Sequence, residues 1–232
     1  MIFSLSINVF FSLLTGAALS IFISKWFKVK IDYILSICAG VLCGVLFLEL
    51  LPHSLSDFGV IPVFLGISIG LPLMYFIDKL VHPHSLTRPI NKTASFYYLV
   101  IAIILHNLPS GIALGNHVDH SNHLYHLVVY HHIPEGMTLM MIFFASSIKI
   151  HQLLTCFAVV GLSLEGFSVF GKMLPINTEP ILGVLLGIAI STIWFVSMFE
   201  LFYPLLRKSY RFYHFLCLLT GITIAGLIFI FG

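Results

Sequence analysis

Charge is what this sequence has least of. Only 9% of its 232 residues are Asp, Glu, Lys or Arg, 11 basic and 9 acidic, where a soluble domain carries about 25%. So few charges cannot wet the surface of a soluble body of this size. They also exclude a nucleic-acid binder with a basic face and a disordered chain. Cysteine is scarce too. Cys38, Cys43, Cys156 and Cys217 all lie inside apolar runs and form no C-x-x-C pair. They read as small buried hydrophobes, not as a disulfide framework or a thiolate site. What the chain has in excess is apolar: 59% hydrophobic residues and a mean hydropathy of +1.07. If each crossing takes about 20 residues, eight crossings use about 160 and leave little for a soluble domain.

The expected fold is therefore all-α, a polytopic membrane protein whose residues 1–232 form a single transmembrane domain. Apolar runs between charged or Pro/His-containing breaks predict eight transmembrane helices. They fall at Leu5–Ser24, Ile31–Leu51, Val60–Val81, Ser95–Gly115, Leu124–Ser146, His151–Lys172, Pro180–Tyr203 and Phe212–Gly232. Basic residues set their orientation. Lys25, Lys28, Lys30, Lys79, Arg88, Lys92, Lys149, Arg207, Lys208 and Arg211 fall in or beside alternate loops, and Lys172 alone lies opposite. Positive residues stay inside, which predicts both termini outside. Steps of G-x-x-x-G at Gly40/Gly44, Gly66/Gly70 and Gly183/Gly187 predict close helix contacts within the subunit.

Against this apolar background a few polar residues stand where lipid or packed side chains belong. Glu135 and Glu165 lie well inside spans, where an ionised carboxylate costs about 2.5–3.5 kcal/mol on insertion scales unless it has a partner. Span four reads His106-Asn107-Leu108-Pro109-Ser110-Gly111, and span five reads His131-His132-Ile133-Pro134-Glu135-Gly136. Both fit H-x-[LI]-P-x-G, and the two antiparallel helices bring the motifs to similar depth. Each proline lacks a backbone N–H and frees the carbonyl four residues earlier, at Leu105 and Tyr130, which suits a helix lining a polar site. His131 and His132 stand i, i+4 and i, i+3 from Glu135, so both flank one carboxylate. Adjacent histidines, about 100° apart on a helix, serve one ion poorly. The spacing predicts two neighbouring metal positions: His106, His131 and Glu135 in one, and Asn107, His132 and Glu135 with Glu165 from span six in the other. Imidazole and carboxylate without thiolate favour Zn²⁺, Fe²⁺ or Mn²⁺.

The two motifs, HNLPSG and HHIPEG, resemble the paired HN-x-P-E-G motifs of the ZIP family of divalent metal transporters. The resemblance implies eight helices arranged 3+2+3, with spans four and five central, the two triplets related as an inverted repeat, and both termini outside. It implies transport of a divalent metal, above all Zn²⁺, from outside or from an organelle lumen into the cytosol, with a multi-pass protein of the plasma membrane expected. It also implies metal positions at His106, Asn107, His131, His132, Glu135 and Glu165, and a homodimer. Glu49-Leu50-Leu51-Pro52-His53 is similar to the family's polar segment at the external mouth, which makes Glu49 and His53 candidate entrance residues. Ser110 departs from the pattern. It stands where the family has a bridging carboxylate, which predicts an asymmetric pair of positions or one metal alone.

The expected partners are the metal, as cargo and not as a resident cofactor, and the lipid bilayer, with no nucleic acid. His117, His120, His123 and His126, spaced every three residues beside Asp119, form either a cation-collecting loop or a solvated turn. Met137, Met140 and Met141 read as packing, and Glu200 as an interfacial partner of Arg207. No enzyme is expected. Two alternatives to transport remain, a metal-binding sensor and an intramembrane zinc hydrolase using Ser110, though the chain has no H-E-x-x-H.

Overall fold

A computed structural model describes residues 4–27, 30–81, 92–116, 125, 128–174, 179–207 and 210–231. Every regular element among them is helical. In chain order they are α1 (Ser4–Phe27), α2 (Ile31–Phe58), α3 (Val60–Val81), α4 (Lys92–Asn116), α5 (His132–Phe144), α6 (Ile150–Met173), α7 (Glu179–Leu206) and α8 (Arg211–Phe231). Six of them, α1–α4, α6 and α7, are long and apolar enough to cross a membrane. The architecture is that of an integral membrane protein with several spans. The loop histidines His117, His120, His123 and His126, with Asp119, lie outside the described residues.

Two helices depart from the expected spans for a common reason. Expected to end at Leu51, α2 runs on to Phe58, and α7 continues past Tyr203 to Leu206. Each contains a π-helical segment, Leu46–Leu50 in α2 and Val196–Phe202 in α7, followed directly by a turn that begins with a proline at its first or second position. A proline ring inside an α-helix clashes with the carbonyl four residues back. The wider π turn relieves that clash, and a proline at the start of the next turn needs no N–H. Pro52 and Pro204 are thus carried inside continuous helices. α5 departs the other way. Val128, Val129 and Tyr130 are helical, His131 forms a turn, and the helix restarts at His132, two residues after Tyr130, whose carbonyl Pro134 leaves without its N–H donor.

Helices pair through glycine. A Cβ added to Gly40 of α2 would strike the carbonyl of Leu218 in α8, and one on Gly187 of α7 would strike the carbonyl of Val63 in α3. Gly111 and Gly115, a further G-x-x-x-G step, face α6 in the same way. The principal pairs are α2 with α8, α3 with α7, α4 with α6 and α1 with α5, while α4 also meets α5 and α7, and α5 also meets α2. α4 and α5 are thereby enclosed: Phe96, Ala113, Leu139 and Met141 are fully buried. Met140 and Met141 are core residues, with Met137 packed against them, as expected. Facing outward are Phe64, Leu65 and Phe76 of α3, Leu162 and Phe170 of α6 and Phe215 of α8, apolar side chains that suit hydrocarbon.

Candidate metal centre

At the centre of this packing the motifs of α4 and α5 meet. His106, Asn107, Ser110, His131, His132 and Glu135 are all buried, none more than 6% exposed. One ligand atom each from His106, His131 and Glu135 lies within 4.8 Å of the others. The rings of His106 and His131 stand edge to face, 5.3 Å between centroids, and those of His131 and His132 lie 4.3 Å apart. Ser110 Oγ is 3.5 Å from His106 Nε2, at the limit of a hydrogen bond. The first expected metal position is thus brought together by helical spacing on two facing elements.

The far sides of these groups are anchored by bonds that leave acceptors facing inward. His132 Nδ1 is 2.7 Å from the carbonyl of Val128. A carbonyl only accepts, so Nδ1 donates and Nε2 keeps its lone pair. That Nε2 lies 3.7 Å from Glu135 Oε2. Asn107 Nδ2 donates to Val160 O and Ser163 Oγ of α6, both at 3.2 Å, which orients Oδ1 as a bare acceptor. Asn107 Oδ1, His132 Nε2 and Glu135 Oε2 are all buried without a hydrogen-bond donor. Burying an unsatisfied acceptor costs about 1–3 kcal/mol, and more for a charged one. A polar network that merely joined helices would match donors to acceptors. His132 Nε2 and Glu135 Oε2 face one another at 3.7 Å, and two facing acceptors need a cation or protons; the N/O donor set fits a divalent metal such as zinc.

The other expected site residues lie outside this three-residue group. Glu165 Oε2 accepts the Ser6 N–H at 2.8 Å, so this carboxylate caps the start of α1, where a helix favours negative charge. It does not join the group of His106, His131 and Glu135. His53 Nε2 lies 3.2 Å from Asp57 Oδ2, one turn on, at a partly exposed site. Glu49 sits half-buried on the π turn of α2. Neither belongs to the buried cluster.

Glu200 corrects the expectation of a pair with Arg207. Its carboxyl lies close to that of Asp78 of α3, and Tyr98 of α4 stands within electrostatic reach of both. Arg207 Nη2 instead donates to Tyr203 OH at 3.1 Å, with the guanidinium 4.8 Å above that ring. Seven residues apart, Glu200 and Arg207 would share one face of an α-helix. Glu200 lies inside the π segment Val196–Phe202, whose wider turn shifts that α-helical register.

Sequence reasoning did not find the contribution of α7 to the centre. His106 Nδ1 lies 3.1 Å from Ala189 O and 3.0 Å from Thr192 Oγ1. Thr192 is a small polar residue in a long apolar run, a weak signal, and a backbone carbonyl leaves no signal. A narrow cavity opens beside the centre. His106, Glu135, Thr138 and Thr192 contribute to its wall, which is otherwise apolar, with Leu99 and Leu201 among its lining.

Comparison with protein-family models and with curated proteins finds no match for this chain.

Proposed function

We propose that the chain transports a divalent metal ion, Zn²⁺ in the first instance, through the buried centre formed by His106, His131 and Glu135. The observation that carries this reading is the group itself: three ligand atoms within 4.8 Å on two enclosed helices, with further acceptors of Asn107 and His132 bare beside them. Three protein ligands leave coordination positions open, as an exchangeable ion requires. A carboxylate in such a place is a functional position by default. The resemblance of the two motifs to those of ZIP transporters points the same way. In that reading the protein has eight spans with both termini outside, moves metal into the cytosol across the plasma membrane, and acts as a homodimer. The helix pairing supports the inverted repeat. Exchanging α1–α3 with α6–α8, and α4 with α5, maps α2–α8 onto α7–α3, α4–α6 onto α5–α1, and α4–α7 onto α5–α2.

The test is zinc uptake by vesicles reconstituted with the purified protein, followed with an entrapped fluorescent indicator. Wild type should load the vesicles, and Glu135→Ala should abolish loading while the variant remains folded, since alanine is a good helix former. Uptake at the wild-type rate in Glu135→Ala would overturn the reading.

Ser110 favours a second reading, a metal-binding sensor. A neutral hydroxyl contacts His106 where the resembled family has a carboxylate, so the ion is offered one charge fewer. Zinc binding without uptake would select the sensor. A hydrolase gains little. Gly66-Ile67-Ser68-Ile69-Gly70 fits G-x-S-x-G, but it lies inside α3, and Ser68 Oγ donates to Phe64 O at 2.8 Å instead of crowning a strand-to-helix turn.

A further inference from the structure

The contact of α7 with the centre has a chemical consequence, and it rests on the reading of His106 as a metal ligand. Thr192 Oγ1 lies 2.8 Å from Ala189 O, to which its hydroxyl hydrogen is given. The threonine oxygen can therefore only accept from His106 Nδ1, 3.0 Å away. Ala189 O, 3.1 Å from the same nitrogen, can only accept as well. Both contacts are hydrogen bonds in one tautomer alone, with the proton on Nδ1. The lone pair then lies on Nε2, the atom that Ser110 Oγ approaches at 3.5 Å.

We propose that Thr192 of α7 is a positioning residue for the metal centre, holding His106 in the Nδ1–H tautomer with Nε2 turned toward His131 and Glu135. His132 is held in the same tautomer by its own helix, through Val128 O one turn earlier. His106 lacks such a local partner and takes one from a helix 86 positions away in sequence. Ala189 O already receives the Thr192 hydroxyl, so the carbonyl is shared, and the threonine oxygen fixes the plane of the ring. Partners of this kind orient a ligating imidazole and raise its basicity, and losing one typically weakens metal affinity about 10–100-fold. Because Ala189 O stays in place, the lower end of that range applies. A movement of α7 against α4 would also turn His106, so the same bond ties the ligand to the helix that carries Glu200.

The experiment uses the full-length protein in detergent, with ¹⁵N-labelled histidine, metal-free at neutral pH, and the His106 signals assigned by their loss in His106→Ala. Wild type and Thr192→Ser should show the proton on Nδ1. Thr192→Val, which keeps the volume and removes the acceptor, should show a mixture of tautomers. In parallel, competition titration with Zn²⁺ should give about tenfold weaker binding for Thr192→Val and near wild-type binding for Thr192→Ser. The proposal is overturned if wild-type His106 carries its proton on Nε2, an outcome that needs no variant. It is equally overturned if Thr192→Val leaves the tautomer unchanged, or if Thr192→Ser fails to restore it. If wild type binds no zinc, the metal reading falls, and the tautomer spectra still decide whether Thr192 sets the ring.

Discussion

Ser110 and Glu135 occupy the same place in two facing motifs and give the centre its asymmetry. Glu135 brings a buried carboxylate within reach of three histidines, while Ser110 brings a hydroxyl 3.5 Å from His106 Nε2. A carboxylate at Ser110 would therefore face the proposed metal position. Ser110→Glu adds a strong oxygen ligand and offsets more of the charge of a desolvated dication. The variant should bind Zn²⁺ more tightly, with capacity for a second ion, and should release it more slowly, since transport needs binding loose enough to let go. Zinc stoichiometry, affinity and vesicle uptake measured together check this. Unchanged stoichiometry and affinity would mean that position 110 does not face the metal. Placing two carboxylates side by side also strains the metal-free protein, because like charges close together resist joint ionisation. Ser110→Glu should accordingly melt at a lower temperature than wild type without zinc and recover with it.

Among the elements, the helix pairs depend on backbones in direct approach. Gly187 of α7 and Gly66 of α3 face one another, and a Cβ on either would meet main chain, which cannot swing aside as a side chain can. Gly187→Leu should force α3 from α7 and destabilise the protein by about 1–3 kcal/mol or more. Gly166 of α6 supplies the control, since nothing lies within 4 Å of its added Cβ. Gly166→Ala should be neutral or stabilising by up to about 1 kcal/mol. Thermal unfolding of both variants in one detergent tests the pair, and equal melting temperatures would refute the close-approach argument. Because α7 also carries Thr192 and Glu200, displacing it should weaken zinc binding as well. π turns in α2 and α7 work at this scale too, turning Glu49 and Glu200 relative to the residues on either side.

For the molecule as a whole, a largely apolar interior encloses a small polar centre, and aromatic and aliphatic side chains also cover much of the outside. Membrane insertion supplies the reason, since hydrocarbon tolerates exposed Phe and Leu but not an unpaired carboxylate. The exchange symmetry of the helix pairs and the ten basic residues assigned to one side both bear on orientation. An epitope tag before Met1 and another after Gly232 should both react with a membrane-impermeant reagent added to intact cells. One tag reached and the other protected would mean an odd number of crossings, which no exchange of two equal triplets allows.

The sequence by itself determined the class of the molecule and the nucleus of its centre. Nine-per-cent charge leaves no way to fold in water, and helical spacing within each motif is local. Once residues 132–136 and 106–111 are helical, with His131 in helical conformation as the cap just before, His131 and His132 must flank Glu135. Tertiary structure decided whatever depends on a partner far along the chain. Glu165 was legible as an intramembrane carboxylate but not as the cap of Ser6, 159 positions away. Asp78 and Tyr98 became the polar neighbours of Glu200 only through packing of α3 and α4 on α7. The π turns that aim Glu49 and Glu200 follow from fitting Pro52 and Pro204 into continuous helices, a choice that hydropathy does not encode. The tautomer of His106 rests on Thr192 and on a backbone carbonyl. A carbonyl is present at every residue, so only the fold can single out the one at Ala189.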